Sequence, residues 1–441
     1  MAYGAFAGGV HPAYNKELAD RRAIEEMPLP EQLVVYFTQN LGAPPEPIVK
    51  KGDTVRKGQV IAEAKAFVSA PVHAPTSGTV KSIDMFPHPV GTDMPAAVIE
   101  PDGEDAWAEG CNVERNTDSL GPDEIKKLVQ GGGLVGMGGA TFPTHVKLSP
   151  PEHKKINILI VNGAECEPFL TADHRLMVER ADEIIEGAAL FARVLGVERV
   201  VVSIEKNKPD AIETMRSRSA DRKGFSVAAV NVLYPQGAEK QLIYSITHRK
   251  VPTGGLPMDA GVLVQNVGTC FAAYEAVRFG RPLIQRVVTV TGSGVAEPKN
   301  ILARIGASFE DLVRFCGGIS GDTGKVISGG PMMGVAQYSL GASVTKGTSG
   351  VVFLRRDEIP QYVNDPCIRC GKCVTACPMR LNPSALSIFA ERMAFDKTDE
   401  FNVLDCIECG CCAYVCPSRR PLVHHFRRAK AEVRKKAKRA G

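Results

Sequence analysis

Eight of the thirteen cysteines in this 441-residue chain fall into two copies of one spacing, and no other feature restricts its folding so tightly. The first copy is Cys367-Ile-Arg-Cys370-Gly-Lys-Cys373-Val-Thr-Ala-Cys377-Pro378. The second is Cys406-Ile-Glu-Cys409-Gly-Cys-Cys412-Ala-Tyr-Val-Cys416-Pro417. Each reads C-x2-C-x2-C-x3-C-P, the spacing by which a chain wraps a [4Fe–4S] cubane. Three thiolates on one short loop hold three irons, and the fourth, a helical turn on, ligates the other cluster. Cys367, Cys370, Cys373 and Cys416 are therefore expected on one cluster, and Cys406, Cys409, Cys412 and Cys377 on the other. Zinc knuckles also use C-x2-C pairs, but they would leave the third cysteine of each triplet idle. A chain with two cubanes moves single electrons. Twenty-eight residues separate Cys377 from Cys406, with a helical stretch at 383–395, so this region is expected to be mainly helical.

The length allows several domains with cores of their own. With 44% apolar and 23% charged residues, the composition is that of a soluble globular protein. No apolar run approaches a membrane span, and Met1–Gly9 lacks the pattern of a secretory signal. Cysteines in cluster spacing belong in a reducing compartment, which points to the cytoplasm. The net charge of +4 is local: residues 419–441 hold ten of the 53 Lys and Arg but one of the 49 Asp and Glu. Leu422, Phe426, Ala429 and Val433 give this tail a helical apolar pattern. It suits an anionic membrane surface or an acidic partner, or simply a solvated helix. No basic or aromatic-rich motif elsewhere supports binding to nucleic acid.

The chain divides by periodicity. After a lead-in over 1–30, short strands broken by turn signals fill 31–105. The run Val49-Lys-Lys-Gly-Asp-Thr-Val-Arg-Lys-Gly-Gln-Val-Ile-Ala-Glu63, with Ala74–Val80, resembles a barrel-sandwich hybrid of the biotinyl/lipoyl type. A carrier domain needs a lysine at its hairpin tip, and that position falls near Phe67, with Lys65 offset. Docking or scaffolding is the expected role. From about 120 to 282, strands at 156–161, 199–204 and 226–233 alternate with helices at 123–129, 181–195 and about 209–218, an α/β layer with a largely parallel sheet. Strands at 287–291 and 325–329 flank a helix at 308–315 within a smaller module, 285–350. The cysteine region spans 358–420, and the basic tail 421–441.

A second constellation lies in the α/β region. Gly131-Gly-Gly-Leu-Val-Gly136-Met-Gly138-Gly139-Ala-Thr-Phe142-Pro143 is rich in glycine, which lets backbone N–H groups approach a phosphate. It has neither the Lys-Ser/Thr of a P-loop nor the third glycine of a dinucleotide fingerprint, and it follows a helix. Alone it reads equally as a phosphate cradle or a connector. Asn162-Gly-Ala-Glu165-Cys-Glu167-Pro168 then lies at the C-terminal end of a strand, the edge where open α/β sheets bind ligands. These carboxylates either hydrogen-bond a flavin and a ribose or are solvated.

Residues Gly136–Lys147 resemble the FMN-binding loop of the flavoprotein subunit of respiratory complex I, and Asn162–Pro168 resembles its following Asn/Glu motif. Tyr234–Glu239 and Asn266–Thr269 look like its later FMN and NADH segments. Ala164, Ala238 and Gly268 depart from the acidic residues usual there. The module order resembles the C subunit of the Rnf-type ion-translocating oxidoreductase over essentially the whole chain. That order is a barrel-sandwich hybrid, a Rossmann-like FMN/NADH domain, a soluble-ligand-binding β-grasp module with Gly329–Gly334, and a helical two-cluster ferredoxin domain.

The resemblance implies FMN beside the two [4Fe–4S] clusters, with NAD(H) as substrate. Redox logic agrees, since a flavin converts a two-electron hydride into single electrons. By the resemblance, Gly136, Gly138, Gly139 and Lys147 hold the FMN phosphate, and Asn162, Glu165, Asn266 and Thr269 meet the ring and ribityl chain. Glu167 and Glu239 meet the nicotinamide nucleotide, Phe142 stacks on an aromatic face, and Tyr234 belongs to the same contact set. No general acid is needed. Expected partners are membrane subunits and a ferredoxin-like subunit of one complex, at the cytoplasmic face of the membrane, with no nucleic acid. Two rivals are a stand-alone NADH-dependent reductase, for instance of a cobalamin, and an electron-relay adaptor without a flavin. Of the other cysteines, Cys111, Cys270 and Cys316 are expected as buried thiols, Cys166 as packing and Cys411 as a spectator. His424 and His425 are expected in solvent, and Trp107 at a domain edge.

Overall fold

The structure, a computed structural model, describes residues 6–359 and 365–440. The first five residues of the lead-in, residues 360–364 at the start of the cysteine region, and Gly441 of the tail lie outside the described residues. Between Leu33 and Pro101, two small sheets face each other. Leu33–Tyr36, Asp93–Pro101, Gly78–Pro87 and Thr54–Val55 pair in that order, opposite Glu46–Pro47, Val60–Glu63 and Val72–His73. Alternation along these strands buries Val55, Ile61, Val72, Val80, Ala97 and Ile99 between them. Phe67 stands at the tip between the last two strands, 61% exposed. Lys65 is spent on the Glu63 carboxylate.

The 285–355 module is a six-stranded sheet ordered Ile24–Glu26, Lys299–Arg304, Gln285–Thr291, Gly350–Arg355, Thr323–Ser328 and Val335–Gln337. The expected helix is present at Phe309–Phe315, started by a capping box in which Ser308 accepts from the Asp311 amide. The edge strand Ile24–Glu26 comes from the lead-in and runs parallel to Lys299–Arg304. Leu33, Val35 and Phe37 share one buried cluster with Val288, Ile301, Phe309 and Phe353, so the two β modules have a common core. The lead-in also stitches other regions. Gly9 donates to the Ala376 carbonyl at 3.0 Å, and Val10 exchanges backbone bonds with Tyr234 at 2.9 and 3.0 Å.

The central layer is a four-stranded sheet, parallel at every pairing, ordered Phe225–Val230, Val200–Glu205, Ile158–Gly163, Val262–Asn266. Its first strand in the chain lies beside its fourth, so the direction of winding reverses between them. Leu159, Val161, Val200 and Val202 pack toward the helices Pro122–Gly131, Ala181–Leu195 and Val267–Phe279. Ile158, Ile160 and Val201 pack toward the other face, where the helix Glu239–Thr247 supplies Leu242, Ile243 and Ile246. Trp107 seats the first module's edge, with the Lys57 ammonium 4.4 Å from its ring centroid, and lines a cavity against Phe271 and Ala272.

The cysteine region is helical, with Lys372–Ala376, Pro383–Glu391, Phe395–Glu400, Cys411–Tyr414 and Leu422–Ala440. The basic tail belongs to it: Leu422, Phe426, Ala429 and Val433 are buried against Leu386, Ala390 and Val403. His424 is exposed as expected, but His425 is not simply solvated. Its ring lies 2.8 Å from the Ser387 hydroxyl, because the apolar stripe turns that side of the helix inward.

The shared β core gives a prediction. Phe353→Ala leaves a cavity where the two modules meet and should lower stability by about 3–5 kcal/mol. Denaturant unfolding checks the magnitude, and limited proteolysis should find both 31–101 and 285–355 newly susceptible.

Candidate active site

Ligands of open α/β sheets bind at the C-terminal strand ends where the winding reverses. Here that point lies between Asn162 and Asn266, which are register partners on adjacent strands. Neither amide is idle. Asn162 accepts from the Ala164 N–H at 3.0 Å and donates to the Gly237 carbonyl at 2.9 Å. Asn266 caps the helix Val267–Phe279 by accepting from Gly268 at 2.8 Å, and donates to Asp173 at 2.6 Å. Thr269, fully buried in the first turn, accepts from the Met137 N–H at 2.9 Å and so pins the glycine-rich loop over this helix start.

The loop fits a phosphate. Gly138, Gly139 and Ala140 are exposed, and their N–H groups have no backbone carbonyl partner among the described residues. Gly139 has φ +109°, and a Cβ there would meet nothing within 4 Å, so the glycine serves backbone shape and leaves open space. Gly136 closes the loop base by donating to the carbonyl of half-buried Phe142 at 2.9 Å. At the other lip, the Lys147 ammonium meets Glu239 at 2.9 Å and the Val264 carbonyl at 3.1 Å.

Below the asparagines lies a buried charge network. Glu165 accepts from the Asp173 and His174 amides at 3.0 and 3.3 Å, capping the helix Ala172–Glu179. Burial, then the Glu165 charge, pushes the Asp173 carboxyl up to about 7, while the Asn266 bond opposes the shift. Arg286, itself buried and lowered to about 10 by burial, faces both carboxylates. Lys208 pairs with Glu205 at 2.7 Å, and Lys16 donates to the Glu167 carbonyl at 2.9 Å. Asp173, Arg286, Lys208 and Lys16 were not legible as site residues. Only Asp173 carried a signal, a carboxylate in the first turn of a helix just after the Asn162–Pro168 motif.

Glu167 and Tyr234 meet at a seam between three regions. The wholly buried Tyr234 hydroxyl lies 2.8 Å from the Cys409 carbonyl and 3.2 Å from a Glu167 oxygen. The one phenol proton is shared between two acceptors, the Cys409 carbonyl and the Glu167 carboxylate. Burial pushes the Glu167 carboxyl up to about 7, and the bond from Tyr234 opposes that shift. Its other oxygen accepts from Met332 at 3.1 Å, beneath Gly330, where a Cβ would lie 2.2 Å from the carboxylate.

The cysteines of the two motifs gather in two groups. Cys377, Cys406, Cys409 and Cys412 line one cavity with Leu381, Leu386 and Phe426. The Leu381 and Glu408 amides donate to the Cys377 and Cys406 sulfurs, each at 3.4 Å, the donors a cluster's thiolates use. Cys373 is raised by burial and then by Cys416, Cys367 and Cys370, which marks the other group. Among the described residues no three such side chains converge tightly enough for a single ion; a cubane, ligated at four separate corners, does not ask for that. The groups differ in exposure. Cys370 is exposed, whereas Cys409 and Cys412 are buried. Of the remaining thiols, Cys411 is fully buried beside the Tyr234 carbonyl, and Cys166 accepts from Gly237 at 3.4 Å. Cys270 and Cys316 are buried, but Cys111 is only half-buried, because its segment runs along the surface below Gly58.

The raised Asp173 carboxyl has a thermodynamic consequence. Between about pH 4 and about pH 7 the folded chain holds a proton that the unfolded chain has released, so this group's contribution to stability falls as pH rises through that window. Asp173→Asn removes that fall while keeping an acceptor for Asn266. Thermal unfolding of the FMN-free chain should show the variant's advantage growing from pH 5 to pH 8, and a constant difference would contradict the assignment.

Comparison with known proteins agrees with this arrangement. Residues 4–104 match the family model of the RnfC barrel sandwich hybrid domain, and 129–275 that of the Nuo51 FMN-binding domain. Residues 287–336 match the SLBB domain, and 359–417 a 4Fe-4S dicluster domain. The chain is 49% identical to the C subunit of the proton-translocating ferredoxin:NAD(+) oxidoreductase complex of Clostridium ljungdahlii, covering 98% of this chain and 94% of that one. It is 45% identical to the Na(+)-translocating counterpart of Acetobacterium woodii, covering 98% of each. The C subunit of the ion-translocating oxidoreductase complex of Rhodobacter capsulatus is 44% identical, over 97% of this chain and 82% of that one. A solved NAD+-reducing [NiFe]-hydrogenase shares the fold at a TM-score of 0.50 and 19% identity over 72% of this chain, which spans 63% of the hydrogenase chain. The cofactors are thus FMN and a pair of [4Fe–4S] clusters. The chain belongs to the RnfC family, the C subunits of the Rnf-type ion-translocating oxidoreductase complexes.

Proposed function

We propose that this chain is the NAD(H)-facing subunit of a membrane-bound ion-translocating complex, exchanging electrons between NAD(H) and ferredoxin through FMN and two [4Fe–4S] clusters. The observation that carries the reading is the buried Tyr234–Cys409 bond, which joins the flavin motif directly to the inner cysteine cavity. FMN, when bound, supplies the conversion between a two-electron hydride and single electrons.

The residues divide the work as follows. Gly136, Gly138, Gly139 and Lys147 hold the phosphate, with Lys147 leaving Glu239 when it does so. Asn162, Asn266 and Thr269 fix the ring's edge through bonds that already lock their own orientation. Glu165 acts from beneath, holding the helix start and setting the field of Asp173. Glu239 then faces the nicotinamide nucleotide, and Phe142 offers an aromatic face. Glu167 and Tyr234 brace the seam to the inner cluster, ligated by Cys377, Cys406, Cys409 and Cys412. The outer cluster, on Cys367, Cys370, Cys373 and Cys416, opens to the surface through Cys370 and passes electrons to a ferredoxin-like or membrane subunit. FMN and the hydride chemistry are housed in 120–282. The regions 31–105 and 421–441 dock the chain on its complex at the cytoplasmic face. No helix among the described residues is long and apolar enough to cross a membrane, so the ion's path is assigned to other subunits.

An anaerobic NADH titration of the cluster-reconstituted, FMN-loaded chain tests the reading. Flavin absorbance should bleach first and cluster absorbance next. If dithionite reduces the clusters while NADH leaves the spectrum unchanged, the chain is a relay without an NADH gate. Cys370→Ala should lose one cluster and the exit of electrons, yet keep FMN and its reduction by NADH. Lys147→Ala should weaken FMN binding roughly ten- to a hundredfold, the worth of a charge-assisted hydrogen bond, as read by flavin fluorescence.

A further inference from the structure

Two loops of the barrel-sandwich region reach across to the glycine-rich loop, and each ends in an exposed apolar side chain. Leu41 is 59% exposed and Phe67 61%. Single exposed apolar residues need no explanation, but these two sit on adjacent loops, since Ala43 donates to the Val68 carbonyl at 2.9 Å. Both loops are fastened to the flavin domain. The Leu41 N–H donates to the Thr141 carbonyl at 3.0 Å, inside the glycine-rich loop. The Phe67 carbonyl lies 2.9 Å from the His145 ring nitrogen, in the helix that carries Lys147, and the two rings meet edge-on at 5.7 Å. A carbonyl only accepts, so the His145 Nε2–H serves as the donor, while burial lowers the ring's pKa. Behind them the buried Lys346 ammonium donates to Pro71 in the hairpin and Gly133 before the glycine-rich loop, both at 2.7 Å.

A hairpin tied down at so many points, with its one large aromatic ring left in solvent, is built to present that ring. We propose that Phe67, with Leu41 beside it, forms a wall for the adenine ring of the nicotinamide dinucleotide. The site is then composite: the flavin domain takes the nicotinamide half, and the barrel-sandwich region takes the adenosine half. The chemistry suits the occupant. Adenine is flat, with apolar faces that stack on aromatic rings, and half-buried Phe142 lies on the same loop as the Leu41 tether. Phe67 stands where a carrier domain of this type holds its lysine, so the hairpin that elsewhere carries a substrate here grips one.

The proposal rests on the NAD(H) reading above, and the experiment separates the two. On the FMN-loaded, cluster-reconstituted chain, the KM for NADH and for reduced nicotinamide mononucleotide is measured with ferricyanide. ADP-ribose binding is measured by calorimetry as a probe of the adenosine half alone. Phe67→Ala should raise the KM for NADH and the Kd for ADP-ribose about tenfold, within the range lost when a base loses its stacking partner. Its kcat, its FMN content and its KM for the mononucleotide should not move, and Phe67→Tyr should restore binding. The proposal is overturned if the variant leaves ADP-ribose binding unchanged, or if both KM values rise together with loss of FMN, which would make the hairpin only a brace. If the unaltered chain oxidises neither nucleotide, the NAD(H) reading itself fails, whatever Phe67 does.

Discussion

The hydrogen bond from the Tyr234 hydroxyl to the Cys409 carbonyl is the contact on which the arrangement turns. It ties together, by a buried contact, two regions that are far apart in the chain. Around it, Glu167 gathers the Met332 amide of the β-grasp module, and the lead-in pairs with Tyr234 through Val10. Each of these groups is polar and at least half-buried, so each would be costly if left alone. Together they satisfy one another, and a slip of any module would strand several at once. The seam is therefore specific as well as close.

The same logic explains why two copies of one cysteine motif end in opposite surroundings. The second copy is packed under the seam, with Gly410 against Met332, while the first faces outward with Ile368 and Cys370 exposed. Identical ligand spacing gives identical clusters. Solvent exposure and hydrogen bonds to sulfur then set different potentials. A chain that passes electrons in sequence needs such a difference.

Much of this was legible, and what was not has a physical reason. The helix at 181–195, the strands of the parallel sheet and the eight cysteines follow from local periodicity and spacing, which tertiary packing here had no cause to override. Asn162 could be placed at a strand end for the same reason, whereas the glycine-rich loop, which follows a helix, read alone as either a cradle or a connector. The strand Ile24–Glu26 was not read, because three residues, two of them Glu, carry no alternation to see. The common core of the β modules was hidden too, since alternation tells which face of a strand is apolar but not what it faces. That the cysteine region folds back onto Tyr234, beside Glu167, was hidden as well, because motif order does not reveal it. Buried Arg286 and Lys346 look, in a sequence, like any surface cations.

The lead-in has a consequence for how such a chain comes to be. Its residues 9–26 bond to Ala376, to Tyr234 and to the strand Lys299–Arg304, none of which exists when those residues leave the ribosome. A segment made before its partners is thus among the last to find its place. Such distant pairing slows assembly and leaves an unpaired edge exposed in the meantime. Once closed, the lead-in serves as a clasp over the cysteine region. The clusters, inserted into a region synthesised later, would then be sealed in by one made earlier.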